Sequence, residues 1–147
     1  MIIGPPGSGK TTFLRDLIRQ KSINGNTVCV VDERQEIFPQ YNEDYCFSIG
    51  PRTDIISNCK KAAGIEMLLR TMGPDIIAVD EITATEDSSA LLQAGWCGVS
   101  LIATAHASDR IDLLNRPIYK PIIQSRLFDC LVTMQHNKTW TVGEMHT

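Results

Sequence analysis

The sequence lacks three features that would each point to a particular class of protein. No apolar run approaches the roughly 18 residues that a membrane-spanning helix needs. The five cysteines contain no C-x-x-C pair, and no segment is repetitive or of low complexity. Scattered cysteines in odd number indicate reduced thiols rather than a disulfide framework or a zinc site. We therefore expect a cytoplasmic protein.

The sequence also lacks an excess of positive charge. Fourteen Lys and Arg residues stand against 17 Asp and Glu, which gives a net charge of −3. Duplex nucleic acid is a poor partner for such a surface, and we predict no nucleic-acid binding. With 147 residues the chain has the size of one domain, which we assign to residues 1–147.

The opening segment has the pattern of a phosphate-binding loop, in which two glycines separated by four residues precede Lys and Thr. The residues predicted to bind nucleotide are Gly4, Pro5, Pro6, Gly7, Ser8, Gly9, Lys10, Thr11 and Thr12. Glycines let the backbone curl around phosphates, and the following helix start adds N–H groups and a positive dipole end. Lys10 would contribute a cation to catalysis, and Thr11 a ligand for Mg²⁺. The sequence thus predicts binding of ATP and Mg²⁺.

An acidic pair, Asp80-Glu81, follows the apolar segment 76–79. In a parallel sheet the carboxyl ends of the strands meet at the edge where ligands bind. Asp80 is the predicted second Mg²⁺ ligand, and Glu81 the catalytic acid that polarises the attacking water. The alternative is that both carboxylates only cap the next loop.

The sequence patterns at an acidic pair, a histidine and several arginines allow less specific predictions. Asp32-Glu33 end another apolar strand, so they either help to position the attacking water or are solvated charges paired with Arg34. His106 ends the strand after the acidic one, where it either senses the γ-phosphate or buttresses the loop.

An arginine from a neighbouring subunit often completes such sites. Among Arg34, Arg52, Arg70 and Arg110 we favour Arg52, because it lies in a long loop.

Strand and helix patterns alternate along the chain, which predicts an α/β fold with a mainly parallel sheet. Helices are predicted over 11–23, 60–72, 85–95, 108–115 and 117–126, with Thr85 and Ser108 as caps. Strands are predicted over 27–31, 75–81 and 99–105, and a closing hairpin over 128–135 and 139–142. Residues 37–58 are predicted to be a long loop with at most a short strand near 46–49.

With these motifs in place, the chain resembles the secretion and type IV pilus class of ring ATPases, and within it the stage III sporulation protein AA family. The segments that carry the resemblance are GPPGSGKTT (4–12), VVDERQEI (30–37), PRTD (51–54), GIEMLLRTMGPDIIAVDEI (64–82) and LIATAHASD (101–109). The resemblance implies a RecA-like, three-layer P-loop NTPase with a C-terminal hairpin. It also implies catalytic or sensing roles for Asp32, Glu33 and His106.

By the same resemblance we expect a homo-oligomeric ring, a hexamer, that hydrolyses ATP to power a sporulation channel and reaches the membrane through a partner protein. Two departures from the family pattern stand out. Pilus and secretion motors commonly carry an arginine where this chain has Thr83-Ala84. Only three residues precede Gly4, so we expect a fragment or a product without the family's N-terminal domain.

Two other functions share the phosphate-binding loop. One is a nucleotide or small-molecule kinase, which Glu81 disfavours because kinases exclude water rather than activate it. The other is a truncated protein that binds nucleotide without turning it over.

Overall fold

A central sheet of seven strands organises the computed structural model, which describes residues 1–146. These residues contain seven strands of the central sheet and two, β3 and β4, of a separate ribbon: β1 Ile2–Gly4, β2 Val28–Asp32, β3 Gln40–Tyr41, β4 Asp44–Tyr45, β5 Thr53–Ser57, β6 Ile76–Val79, β7 Ser100–His106, β8 Cys130–Met134 and β9 Trp140–Glu144. The helices are α1 Lys10–Ile23, α2 Lys61–Thr71, α3 Thr85–Trp96, α4 Arg110–Asn115 and α5 Lys120–Gln124, with a 3₁₀ turn at Pro117–Tyr119.

The sheet has the strand order β5-β2-β6-β7-β1-β8-β9. All neighbouring strands are parallel except β8 and β9, which form an antiparallel hairpin from Cys130↔Glu144 to Met134↔Trp140. Helices connect successive strands of the parallel part of the sheet, except between β2 and β5, where the connection contains the β3–β4 ribbon instead. The predicted α/β architecture with a mainly parallel sheet and a closing hairpin is therefore confirmed.

Helices cover both faces of the sheet and give three layers. Side chains that alternate along β2 contribute to opposite cores: Cys29 and Val31 pack with α2 and α3, whereas Val28 and Val30 pack with Leu14 and other residues of α1. Strands β2 and β6 are buried along their whole length. Such two-sided burial explains their nearly continuous apolar sequences.

The structure corrects the prediction for residues 37–58. This segment contains β5, which forms the edge of the sheet beside β2, and the small β3–β4 ribbon, while no strand lies at 46–49. β5 is only half-buried, so its sequence TDIIS lacks the apolar run that identified the central strands. In addition, no side chain of Thr85 or Ser108 caps a helix, since α3 begins after Ala84 and Asp109 caps α4.

The parallel arrangement brings the carboxyl ends of β1, β2, β6 and β7 to one edge of the sheet. The phosphate-loop pattern, both acidic pairs and His106 all lie at or just after these strand ends. Among residues 1–146, no helix combines the length and the apolarity that crossing a membrane would take.

Candidate nucleotide site

The segment between β1 and α1 is a tight loop that depends on glycine. Gly7 and Gly9 have φ angles of 76° and 95°, in the left-handed region that glycine adopts without strain. A Cβ atom on Gly4 would lie 2.6 Å from the Ser8 Oγ and 2.8 Å from the Met134 carbonyl oxygen. The loop therefore packs against β8 too closely for any side chain at Gly4.

The start of α1 is free of the groups that usually complete a helix terminus. Its first turn holds no acidic residue, and Gly9, at the N-cap position, has no side chain to cap it. The N–H groups of Lys10, Thr11 and Thr12 consequently have no partner within the helix. Together with the positive end of the helix dipole, they fit an anionic ligand such as a phosphate group.

Lys10 lies at the centre of the site. Its Nζ donates hydrogen bonds to the carbonyl oxygens of Gly4 (2.8 Å) and Pro5 (3.0 Å) and lies 3.4 Å from the Nδ1 of His106. Burial lowers the pKa of Lys10 from its usual value, whereas the nearby Glu81 and Asp80 carboxylates act in the opposite direction. A largely buried ammonium beside two carboxylates is well suited to exchange its carbonyl partners for phosphate oxygens.

Hydroxyl and carboxylate groups meet next to Lys10. Thr11 Oγ1 donates a 3.2 Å hydrogen bond to Asp80 Oδ2, and Thr104 Oγ1 donates a 2.6 Å bond to Asp80 Oδ1. Oxygen ligands of this kind are those that Mg²⁺ prefers, and Mg²⁺ usually takes one or two protein ligands and completes its shell with water and phosphates. Within residues 1–146 no group of three or more His, Cys, Asp or Glu side chains could hold a metal. The oxygens of Thr11 and Asp80 fit a magnesium ion that arrives with a polyphosphate.

Glu81 is held in an unusual conformation. Its φ angle is 39°, which is strained for a residue with a side chain, and its N–H donates a 2.7 Å hydrogen bond to Thr104 Oγ1. Its Oε1 lies 2.6 Å from His106 Nε2. Because the Lys10 ammonium can only donate, Nδ1 of His106 accepts from it and Nε2 carries the proton directed at Glu81. The three side chains therefore form one continuous chain.

A single pocket of about 400 Å³ connects these groups. Its lining residues are Pro6, Gly7, Gly9, Lys10, Thr11, Thr12, Glu36, Asp80, Glu81, Thr104, His106 and Lys138. Lys138, in the β8–β9 turn, was missed by the sequence reasoning. A lysine in a hairpin turn carries no local signal, and only the pairing of β8 with β1 brings this turn to the phosphate-loop segment.

The acidic pair after β2 is arranged differently. Asp32 is buried, and its carboxylate accepts hydrogen bonds from the backbone N–H groups of Glu36, Ile37 and Phe38 at 2.9–3.1 Å. Asp32 does not line the 400 Å³ pocket and is not a solvated loop charge. Glu33 pairs with Lys61 at 2.7 Å rather than with Arg34. Both Asp32 and Glu33 line a small cavity that Asp80 and Glu81 also line.

None of the candidate arginines lines the 400 Å³ pocket within residues 1–146, although Arg34 lines the small neighbouring cavity together with Asp80 and Glu81. β5 begins beside Val28, the first residue of β2, so the exposed Arg52 lies at the amino ends of the strands, opposite the pocket. Arg70 pairs with Glu66 on α2, and Arg110 donates to the carbonyl oxygen of Met145. Arg52 could reach a pocket of this kind only in another subunit.

The fold of the chain matches that of solved structures. Comparison with solved structures gives a TM-score of 0.65 to the VirB11 ATPase of the Brucella suis type IV secretion system, at 20% identity over 97% of this chain and 46% of that chain. The pilus retraction motor PilT with bound ADP gives 0.58, at 18% identity over 90% and 41% of the two chains. The fold is that of the secretion and pilus ATPases.

The particular family follows from the sequence comparisons. A family model described as "Sporulation stage III, protein AA" matches residues 1–145. Stage III sporulation protein AA of Bacillus subtilis (strain 168) is 40% identical in an alignment that covers 94% of this chain. The type IV pilus assembly ATPase TfpB of Acinetobacter baylyi is 29% identical over 79% of the chain. The chain belongs to the stage III sporulation protein AA family.

The chain spans only part of these relatives. It covers 47% of the Bacillus subtilis protein and 19% of TfpB. What the whole relatives do therefore bears on this chain only through the residues that it contains.

Proposed function

We propose that this chain is a Mg²⁺-dependent ATPase domain of a secretion-type ring motor. The observation that carries the proposal is the convergence of Lys10, Thr11, Asp80, Glu81 and His106 on one 400 Å³ pocket beside a glycine-rich helix start. These residues come from three separate segments of the sequence. Membership of a family whose fold is shared with secretion and pilus ATPases supports the same conclusion.

Different residues of the pocket bind the phosphates and the metal. The loop from Gly4 to Gly9 and the first N–H groups of α1 bind the β- and γ-phosphates, and Lys10 exchanges its carbonyl partners for their oxygens. Thr11 and Asp80 hold the magnesium ion. Mg²⁺ supplies neutralisation of the charge on the phosphate oxygens during transfer.

Glu81 acts as the general base. Its carboxylate takes a proton from the attacking water, and the strained backbone at Glu81, fixed by Thr104, orients the carboxylate toward the pocket. His106 contacts both Lys10 and Glu81, so a change in the phosphate contacts of Lys10 alters the hydrogen bond that His106 donates to the Glu81 carboxylate. Through this connection His106 performs the sensing role predicted for it.

Glu33 acts from the neighbouring cavity, which also contacts Asp80 and Glu81. Its carboxylate helps to orient the water shell rather than to bind phosphate, since a second anion next to the phosphates would be repelled.

A ring supplies what one subunit lacks. The cations that line the pocket are Lys10 and Lys138, and no arginine joins them among the described residues. An arginine supplied by a neighbouring subunit is worth about 10³–10⁵ in rate in related chemistry. We propose that Arg52, exposed at the opposite edge of the sheet, serves a neighbouring subunit of a hexamer. The motor acts in the cytoplasm and drives a sporulation channel through a membrane partner.

The test is phosphate release from ATP by the purified chain. We expect Mg²⁺-dependent release that EDTA abolishes and that rises per subunit with protein concentration. Lys10→Ala removes it, whereas Lys21→Ala, an exposed lysine on the same helix, leaves it unchanged. Transfer to a nucleotide acceptor without free phosphate would instead indicate a kinase. Tight ATP binding with no release by either protein would indicate a binding protein without turnover.

A further inference from the structure

A buried lysine lies between the two acidic loops. Lys61 is the first residue of α2 and is 5% exposed. The positive end of a helix dipole disfavours a cation, and burying an ammonium without partners costs several kcal/mol. A lysine in this position therefore depends on its carboxylate partners.

Those partners belong to different loops. The Nζ of Lys61 lies 2.7 Å from Oε2 of Glu33, which follows β2, and 4.0 Å from Oδ2 of Asp87, in the first turn of α3. One ammonium thus joins the end of one acidic strand to the helix that follows the other. Both contacts are long-range in sequence and set by the fold.

Asp87 carries this link to the catalytic segment. Its Oδ2 accepts hydrogen bonds from the backbone N–H groups of Thr83 (3.2 Å) and Ala84 (3.1 Å), two and three residues after Glu81. Asp87 is itself 6% exposed. Thr83 and Ala84 contribute backbone donors to this contact.

The backbone of Glu81 needs such support because its φ angle of 39° is strained. Thr104 holds the segment from the strand side through the N–H groups of Glu81 and Ile82. Asp87 holds it from the helix side, with its charge balanced by Lys61. Lys61 also lines the cavity of about 20 Å³ that contacts Glu33 and Glu81.

We propose that Lys61 is a positioning residue that fixes the catalytic carboxylate of Glu81 by bridging Glu33 and Asp87. The inference rests on the proposed ATPase function. Lys61 does not line the phosphate pocket, so its loss affects turnover and not nucleotide binding.

The experiment compares Lys61→Met with Lys60→Met. Lys60 is the exposed residue immediately before Lys61, so both variants remove one ammonium at the same helix start. For Lys61→Met we expect kcat to fall about tenfold or more, a typical effect of misplacing a catalytic group, with the Kd for a fluorescent ATP analogue unchanged. Lys60→Met leaves both constants at the wild-type value, and Lys61→Arg restores part of kcat.

A second measurement reports on the contact between Asp87 and the segment after Glu81. Hydrogen exchange at the amides of Thr83 and Ala84 should accelerate in Lys61→Met and remain at the wild-type rate in Lys60→Met. If Lys61→Met does not fold, Asp87→Asn decides, because the amide keeps one oxygen for those N–H groups and loses the charge that faces Lys61. We expect a lower kcat with unchanged Kd for this variant.

The outcomes separate the two proposals. A wild-type protein that releases no phosphate contradicts the ATPase function and this inference together. Wild-type turnover with an unchanged kcat in Lys61→Met, or in Asp87→Asn where the former is unfolded, overturns the inference alone. An equal loss of kcat and nucleotide affinity assigns Lys61 to general stability and also overturns it.

Discussion

Two acidic pairs end neighbouring strands of the same sheet, yet they do different work. After β6, Asp80 accepts hydrogen bonds from the side chains of Thr11 and Thr104 at the rim of the pocket. After β2, Asp32 accepts hydrogen bonds from three backbone N–H groups and is 1% exposed. The Asp80 carboxylate therefore lies at the pocket, whereas the Asp32 carboxylate is fully engaged in hydrogen bonds within its own loop.

The partners of each carboxylate cause the difference. Hydroxyl groups can turn toward a metal-bound carboxylate or away from it, so Asp80 remains adaptable. Backbone N–H groups of a buried loop have no alternative partner, so Asp32 cannot leave them without a large penalty. An acidic pair at the end of a strand is therefore not evidence of catalysis until its hydrogen-bond donors are known.

The largest expected effect concerns the pair after β6. Glu81→Gln removes the proposed base but keeps the shape of the side chain, so phosphate release should fall by about 10²–10⁴, the usual contribution of general base catalysis. Glu86→Gln, an exposed residue of α3, is the control. Steady-state kinetics with matched melting curves checks this expectation, and retention of full turnover by Glu81→Gln would remove Glu81 from the chemistry.

The matching change after β2 should act on stability. Asp32→Ala leaves three backbone N–H groups without their acceptor, so we expect the free energy of unfolding to fall by about 2–5 kcal/mol. The exposed Asp44→Ala should change it by less than about 0.5 kcal/mol. Urea denaturation measures both. A fully stable but inactive Asp32→Ala would show that the two pairs share a catalytic role.

A smaller effect is expected where the hydroxyl of Thr104 joins Asp80 to the backbone of Glu81. Thr104→Val keeps the size of the side chain and removes both hydrogen bonds, so kcat should fall about tenfold, equivalent to one or two hydrogen bonds. Thr141→Val, on the exposed strand β9, serves as the matched change. Equal kcat values for the two variants would mean that the pair after β6 does not need this support.

The smallest effect concerns Lys138 in the β8–β9 turn. Its ammonium is exposed, so its attraction for bound phosphates is screened by water, and Lys138→Met should raise KM about three- to tenfold with kcat unchanged. Lys120→Met, also at an exposed position but outside the pocket, should leave KM unaltered. A lower kcat with unchanged KM in Lys138→Met would place this cation in the transition state instead.

Local patterns predicted the parts of the fold that local forces decide. The apolar runs of β2 and β6 are buried on both faces, and the spacing of Leu14 and Ile18 matches the buried side of α1. β5 was missed because an edge strand that is half-buried has no such run. Its place in the sheet depends on pairing with β2, which no window of sequence reveals.

In the candidate site too, local motifs could be predicted, whereas contacts between distant segments could not. The glycine-rich loop could be chosen from its motif, and Asp80, Glu81 and His106 because each lies at or next to the end of a predicted strand. The partners of Glu33 and Asp32 could not, since Lys61 is 28 positions from Glu33 and the donors to Asp32 are main-chain groups. Lys138 could not be predicted either, because only the pairing of β8 with β1 brings its turn to the phosphate-loop segment.

The most direct test of the account is a crystal structure of the chain with Mn²⁺ and a non-hydrolysable ATP analogue, because the anomalous signal of Mn²⁺ locates the metal. We predict one anomalous peak at about 2–2.3 Å from the Thr11 hydroxyl oxygen, with Asp80 bound to it directly or through one water, and phosphates along residues 4–12. A peak beside Asp32 and Glu33, or a nucleotide bound away from Lys10, would contradict the account.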